Sequence, residues 1–440
     1  MNNKVRVAAA LGALALVSGC GVIKGGKPKT PVVGERVPIL MSENDIVADR
    51  SLAGVDVLVP EAAANDSWTQ PGGNAAKSMG HLALGQNLTR VWSKSIAKTS
   101  KSARLAASPV VAANKLYVID TVGVVHALAA DTGAELWTAN TVKEDGNKTA
   151  RFGGGASVEG DRVFAANGLG DLVAINAADG TEIWRKRPGG PLRGAPTLAN
   201  GNVYVITQDN QLFALTQDAG DIAWTSSASL ESQGVFGVAA PASASGTVIA
   251  GFSSGELNAY RYENGRSLWA EVLSRSSIST SVSSLSDIDA EPVIDQGRVY
   301  AVGQGGRMVA IDVASGQRMW EQNIAGISTP WAAGEWLFVV TDDARLLAIA
   351  RGSGKVRWIS QLTHYRNEKK LKGQYGWVGP VLAGGRLILG NTEGELVSVS
   401  PTDGSVISTT EVKGAVTLQP VVANNMLYIL DDKGVLSAYR

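Results

Sequence analysis

With 440 residues, 45% of them apolar, and 51 glycines, the chain has the means for a large core interrupted by many tight turns. Its 40 Lys and Arg balance 40 Asp and Glu, which excludes recruitment to nucleic acid or to an anionic surface by overall field. A single cysteine excludes an internal disulfide and any cysteine-based metal site.

Residues 1–19 read as a secretory signal. Lys4 and Arg6 supply a positive start, Val7 to Val17 is apolar apart from Gly12, and small residues lead to Cys20. The run is too short to span a bilayer. The segment Leu16-Val17-Ser18-Gly19-Cys20 resembles the bacterial lipobox, in which the thiol is acylated and becomes the N-terminus. More than one acyl chain makes a stable anchor. Gly21-Val22 lacks the Asp that holds lipoproteins in the inner membrane, so the expected site is the periplasmic face of the outer membrane. Residues 20–60, rich in Pro, Gly and charge, are expected to be the lipidated tether. Residues 61–88, with Trp68 and Gly72-Gly73, form an extension without a pattern that places it.

From residue 89 onward the chain repeats. Gly followed four residues later by Trp occurs at Gly133/Trp137, Gly180/Trp184, Gly220/Trp224, Gly265/Trp269, Gly316/Trp320 and Gly354/Trp358; Gly404/Ser408 keeps the spacing and loses the Trp. Six residues before each glycine stands a small residue, from Ala127 to Ser398, and Ala438 is an eighth copy. A Pro opens all units but the second, at Pro109, Pro196, Pro241, Pro292, Pro330, Pro380 and Pro420, ahead of short apolar runs. Trp92, Trp137, Trp184, Trp224, Trp269, Trp320 and Trp358 follow one another at intervals of 38 to 51 residues. Four short strands in roughly 40–45 residues describe a propeller blade. The expected fold is therefore all-β, an eight-bladed β-propeller of four-stranded antiparallel blades over 89–440. The eighth unit lacks its last strand, and Thr89 to Ile96 supplies one at the front, so that an N-terminal strand closes the ring.

The tryptophans are expected to dock blade on blade, because six or seven equivalent positions exceed what one cofactor needs. Units of Ala-x5-Gly-x3-Trp spacing resemble those of pyrroloquinoline quinone (PQQ) dehydrogenases. That family carries a disulfide of adjacent cysteines beside its cofactor, and this chain has none to form it. His81, His126 and His364 have no metal-ligand spacing. Arg151-Phe-Gly-Gly-Gly155 leads into a strand instead of a helix, which argues against a phosphate loop. Asp342-Asp343 and Asp431-Asp432 occupy equivalent turns. The expectation is no enzyme, no cofactor and no metal. Two insertions lengthen the repeat: the Ser-rich 274–289 and the basic 364–372, which would meet an acidic partner or phospholipid headgroups.

Lipobox, tether, repeats and the stretch Leu285-Ser-Asp-Ile-Asp289-Ala-Glu-Pro292 together resemble the BamB family, lipoprotein subunits of the outer-membrane β-barrel assembly (BAM) complex. The resemblance implies a non-catalytic scaffold that binds BamA beside the other BAM subunits and assists insertion of outer-membrane proteins. It also implies that Asp287 and Asp289, next to Leu285, contact BamA. The family's second contact segment, Leu-x-Leu-Arg, is placed at Gln233-Gly-Val-Phe236, with Val235 and Phe236 as apolar anchors where the Arg and first Leu are absent. Unfolded barrel strands are a further partner, held by edge pairing. The alternatives are a periplasmic PQQ-dependent dehydrogenase and a propeller that binds a small ligand in its channel.

Overall fold

The computed structural model describes residues 46–96, 105–143, 152–230, 238–273 and 287–440. Cys20, Val235, Phe236 and Leu285 lie outside them, as do most of the Ser-rich insertion and the segment before Ile46. Eight four-stranded antiparallel sheets form a β-propeller. Blades 1 to 7 occupy 110–140, 154–186, 197–227, 242–272, 293–322, 331–361 and 377–411. Blade 8 combines 421–439 with Arg90–Ser95.

The middle strands of the blades are largely buried, which is why they carry apolar runs such as Val203-Tyr-Val-Ile206. The fourth strand alternates, as in Glu135–Asn140, because one of its faces meets solvent. The recurring small residue lies opposite the Trp: Ala127 pairs with Trp137, Ala310 with Trp320 and Ala438 with Trp92. A larger side chain there would displace the indole.

Each Trp then docks on the following blade. Its Nε1 donates to a backbone carbonyl there, at 2.7–3.2 Å, from Trp92 to Ala130 around to Trp358 to Pro401. The repeat glycine of that next blade lies beneath the ring: a Cβ on any of the seven would come within 2.5–2.8 Å of the indole or its Cβ. These glycines also have φ between +68° and +80°. Gly and Trp of the motif are thus partners across a blade boundary. Ser408 stands where blade 7 faces blade 8, whose third and fourth strands are not joined by a turn. The glycine that seats the other indoles lies in such a turn, so a Trp at 408 would lack its seat. Trp320→Ala is expected to cost about 3–5 kcal/mol in urea unfolding, whereas Ser408→Trp is expected to add no stability.

The ring closes as the sequence implies. Arg90–Ser95 pairs antiparallel with Val435–Tyr439, and Thr89 and Arg440 exchange backbone hydrogen bonds of 2.8 and 2.9 Å.

The extension has a place that the sequence does not reveal. Between Asn65 and Leu82 it visits the innermost strand of every blade in ring order. Asn65 bonds Val422 and Asn424 of blade 8, Trp68 bonds Val111 of blade 1, and Thr69 bonds Val158 of blade 2. The Gln70 amide brackets Leu198 of blade 3, and Ala75 and Ala76 accept from Ser243 and Ile294 of blades 4 and 5. Gly80 accepts from the Trp331 indole of blade 6, and Leu82 bonds Leu382 and Gly384 of blade 7. Inner strands leave backbone groups unpaired toward the axis, and this strap meets some of them in seven blades and the Trp331 indole in blade 6. Trp68 and Trp331, both buried, stack at 6.1 Å to pin it.

Candidate protein-docking site

In a four-stranded meander, the turns between second and third strands lie at the same end as the blade-to-blade connections. That end carries the segments 188–195, 287–291 and 364–376. The strap lies toward the other end, since it bonds Asn424 and Gly384 in turns between first and second strands.

The connection between blades 2 and 3 brings Leu192 and Arg193 inward, both fully buried. Their backbone is held by Arg193 N–H donating to Ile206 O and by Gly154 N–H donating to Arg193 O. The Gly153-Gly154-Gly155 run permits this approach: a Cβ at Gly153 would lie 2.3 Å from Leu192 O. The triplet is therefore a close-packing device, in keeping with its strand context.

Arg193 reaches across to the connection between blades 4 and 5. Its Nη2 donates to Asp287 Oδ1 at 2.8 Å and to Asp289 Oδ1 at 3.3 Å. Gln304 Nε2 donates to Asp289 Oδ2 at 3.0 Å. Between the two carboxylates Ile288 is buried against Gly251, where a Cβ would come within 2.5 Å. Burial, then repulsion from Asp287, pushes the Asp289 carboxyl up to about 6, with Arg193 opposing. Nearby, Lys77 of the strap donates to Pro71 O and Thr197 Oγ1, and burial pushes its ammonium down to about 8. Glu291 faces Lys77, and burial raises its carboxyl.

The resemblance implies that Asp287 and Asp289 are contact residues, yet Asp287 is only 1% exposed and points into the protein. Its carboxylate holds the 287–291 segment in shape; it is not a surface group. Arg193 and Leu192, not chosen from the sequence, are the residues brought beside it. The signal available was a Leu-Arg pair at 192–193, the ending of the Leu-x-Leu-Arg that the resemblance implies and that the sequence reading places at 233–236. Beside Gln304 a groove of about 500 Å³ runs to Gln374–Trp377, floored by Ile327, Ser328 and Asp342.

Because the folded Asp289 carboxyl holds its proton to about pH 6 against an ordinary 3.8, the folded state binds the extra proton between those values. Stability from this group falls as pH rises through that window. The melting temperature of Asp289→Asn relative to wild type is expected to rise between pH 4 and 6; a flat difference would show that this carboxyl does not titrate there.

The PQQ reading can be tested on the channel itself. Trp68, Pro71 and Gly72 of the strap line a central cavity of about 130 Å³, well below the roughly 300–1,000 Å³ typical of sites for such ligands. The nearby Asp287 and Asp289 are engaged by Arg193. Among the described residues no three His, Cys, Asp or Glu converge to hold a metal ion. His126 lies between Asp120 and Glu135 within blade 1, and His81 binds Pro60 O and Gly385 N–H. These residues do not fit a quinone with its cation. Asp431 caps its own turn by accepting from Lys433 and Val435 N–H, in keeping with a structural role.

The chain is similar to known proteins in both sequence and fold. The family model described as "Outer membrane protein assembly factor BamB" matches residues 121–360 and 364–440. The protein of that name from Salmonella typhimurium is 32% identical over 355 residues, 80% of this chain and 88% of the relative. Its Escherichia coli counterpart is 29% identical over 79% of this chain and 88% of the relative. The crystal structure of BamB from Moraxella catarrhalis superposes with a TM-score of 0.66 at 22% identity, covering 80% of this chain and 98% of that one. Quinohemoprotein alcohol dehydrogenase from Comamonas testosteroni reaches 0.65 at 14% identity, covering 86% and 81%, a likeness of fold alone. With its blades, its seamed ring and these relatives in view, the chain belongs to the BamB family of outer membrane protein assembly factors.

Proposed function

We propose that the chain is a non-catalytic scaffold of the BAM complex, lipid-anchored through Cys20 at the periplasmic face of the outer membrane, and that it docks on BamA through the end of the ring carrying 188–195 and 287–291. The observation that carries this reading is the Arg193–Asp287–Asp289 bridge. It ties two connections from different blades into one rigid platform, with Gln304 and its groove alongside. Preorganised loops lose little freedom on binding, which favours affinity. The residues do not act as direct charges on BamA; they shape the surface that meets it.

Affinity capture of the full chain from solubilised outer membranes, with partners identified by mass spectrometry, tests the proposal. BamA is the expected principal partner. Recovery of the chain without any barrel subunit, or a PQQ-dependent dehydrogenase activity in the purified protein, would overturn it.

A further inference from the structure

One sector of the ring differs from the others. Residues 46–58 lie along the outer strand of blade 6, Val356–Gln361. Asp49 N–H donates to Val356 O, Lys355 bridges to Asp49 and Ser51, and Arg357 Nε donates to Val55 O. The far end of the same strand runs on into a hairpin, Tyr365–Asn367 paired with Lys372–Gln374. Gln374 Nε2 fastens the hairpin to Asp342 O of blade 6, and Arg366 pairs with Glu393 of blade 7. Among the described residues, the four most exposed large apolar side chains are Val47, Leu58, Leu230 and Leu371, at 66–76%. Three of them sit on this sector. Leu371 is at the hairpin apex, in a left-handed conformation with φ 49°, flanked by exposed Lys369, Lys370 and Lys372. Those three lysines make no ion pair among the described residues, whereas Arg366 is neutralised by Glu393. The Glu368 carboxylate caps the N–H groups of His364 and Tyr365.

We infer that this edge of blade 6 rests on an anionic phospholipid surface, with Lys369, Lys370 and Lys372 at the headgroups and Leu371, Val47 and Leu58 entering the interface. Lysines around an apolar tip match the two layers of a bilayer surface: headgroup phosphates outside, acyl chains within. The attraction is local, since the whole chain is neutral. The path of the chain points the same way. Ile46, where the description begins, lies on this sector, and Cys20 is 26 residues upstream, a reach of at most ~90 Å. An acidic protein would satisfy the lysines but would leave the three scattered apolar side chains without a matching layer. The six-residue strand between the two groups is about 20 Å long, so the ring would meet the membrane by its rim. That would leave the blade 2 to blade 5 side of the end carrying Arg193 and Asp287, away from the hairpin apex, free for a protein partner.

The inference rests on the reading of the chain as an outer-membrane component. Its test contains no partner protein: failure here with capture of BamA intact would remove only the inference. The mature chain with Cys20→Ala, which has no acyl acceptor, is sedimented with vesicles of phosphatidylethanolamine and phosphatidylglycerol and, separately, of phosphatidylcholine. Binding to the anionic vesicles alone is expected, weakening with salt. It is expected to fall more than about tenfold in Lys369→Glu/Lys370→Glu/Lys372→Glu. An environment-sensitive dye on Leu371→Cys in the same background is expected to shift to the blue and to be quenched by brominated lipids. The exposed positions predict unchanged melting curves, which separates loss of binding from loss of fold. Absence of wild-type binding, equal binding by the charge-reversed variant, or a dye that stays in water would overturn the inference. So would binding to polyglutamate in place of vesicles, which would make the hairpin a dock for an acidic protein.

Discussion

Deleting Arg90–Ser95 is expected to abolish the cooperative unfolding transition, or to lower the melting temperature by ~10 °C or more. The six residues are the outer strand of blade 8, and their pairing with Val435–Tyr439 joins the first part of the ring to the last. With them goes Trp92, which donates to Ala130 O and sits over Gly133 of blade 1. It also packs on Tyr428, at 6.2 Å between ring centroids. Trp92 is partly buried, and loss of a fully buried indole costs about 3–5 kcal/mol, which sets the upper end of this contribution. The deletion also exposes the edge of Val435–Tyr439 to pairing with other chains. Differential scanning calorimetry of the truncated chain is the measurement, with Trp320→Ala as a comparison that removes one dock and keeps the strand. A single sharp transition at the wild-type temperature would sink the closure account.

Arg193→Ala is expected to destabilise the protein by about 3–5 kcal/mol and to abolish co-purification with BamA. The guanidinium is wholly buried and serves two carboxylates, so its removal leaves Asp287 without its buried cation and Asp289 with the Gln304 amide and the Val238 backbone. Breaking one side of a buried pair costs more than the pair contributes, because the abandoned charge is not solvated. Arg193→Lys is expected to recover part of the stability and little of the docking, since a point-charge ammonium on a different stem does not sit where Nη2 meets both carboxylates. Urea unfolding and capture from solubilised membranes read the two effects separately. Wild-type capture by a folded Arg193→Ala protein would show that the platform is not the docking surface.

The blades were legible because their code is local and repeated. A small residue, a glycine and a tryptophan recur at fixed offsets, and each offset places the residue in the same turn or strand of every blade. Even the missing Trp at Ser408 carries information, since it marks the boundary that faces the unjoined strands. The strap could not be read in the same way. Its partners are mostly backbone groups of the inner strands, with the Trp331 indole in blade 6, and Asn65 bonds a residue 357 positions away while Gln70 bonds one 128 away. Backbone groups leave no trace in residue type.

The docking platform falls between these cases. The acidic stretch 287–291 was visible as a motif, but its direction was not: Asp287 turns inward because Arg193, 94 residues earlier, is delivered to it through the glycine run at 153–155. The sequence by itself determined the number of blades, the seam that joins them and the family, because these depend on spacing within each unit. Only the tertiary structure decided that the acidic pair is an internal brace, that the extension circles the inner strands, and that lysines and apolar side chains gather along one blade. Those outcomes depend on which distant segments the closed ring brings within hydrogen-bonding distance.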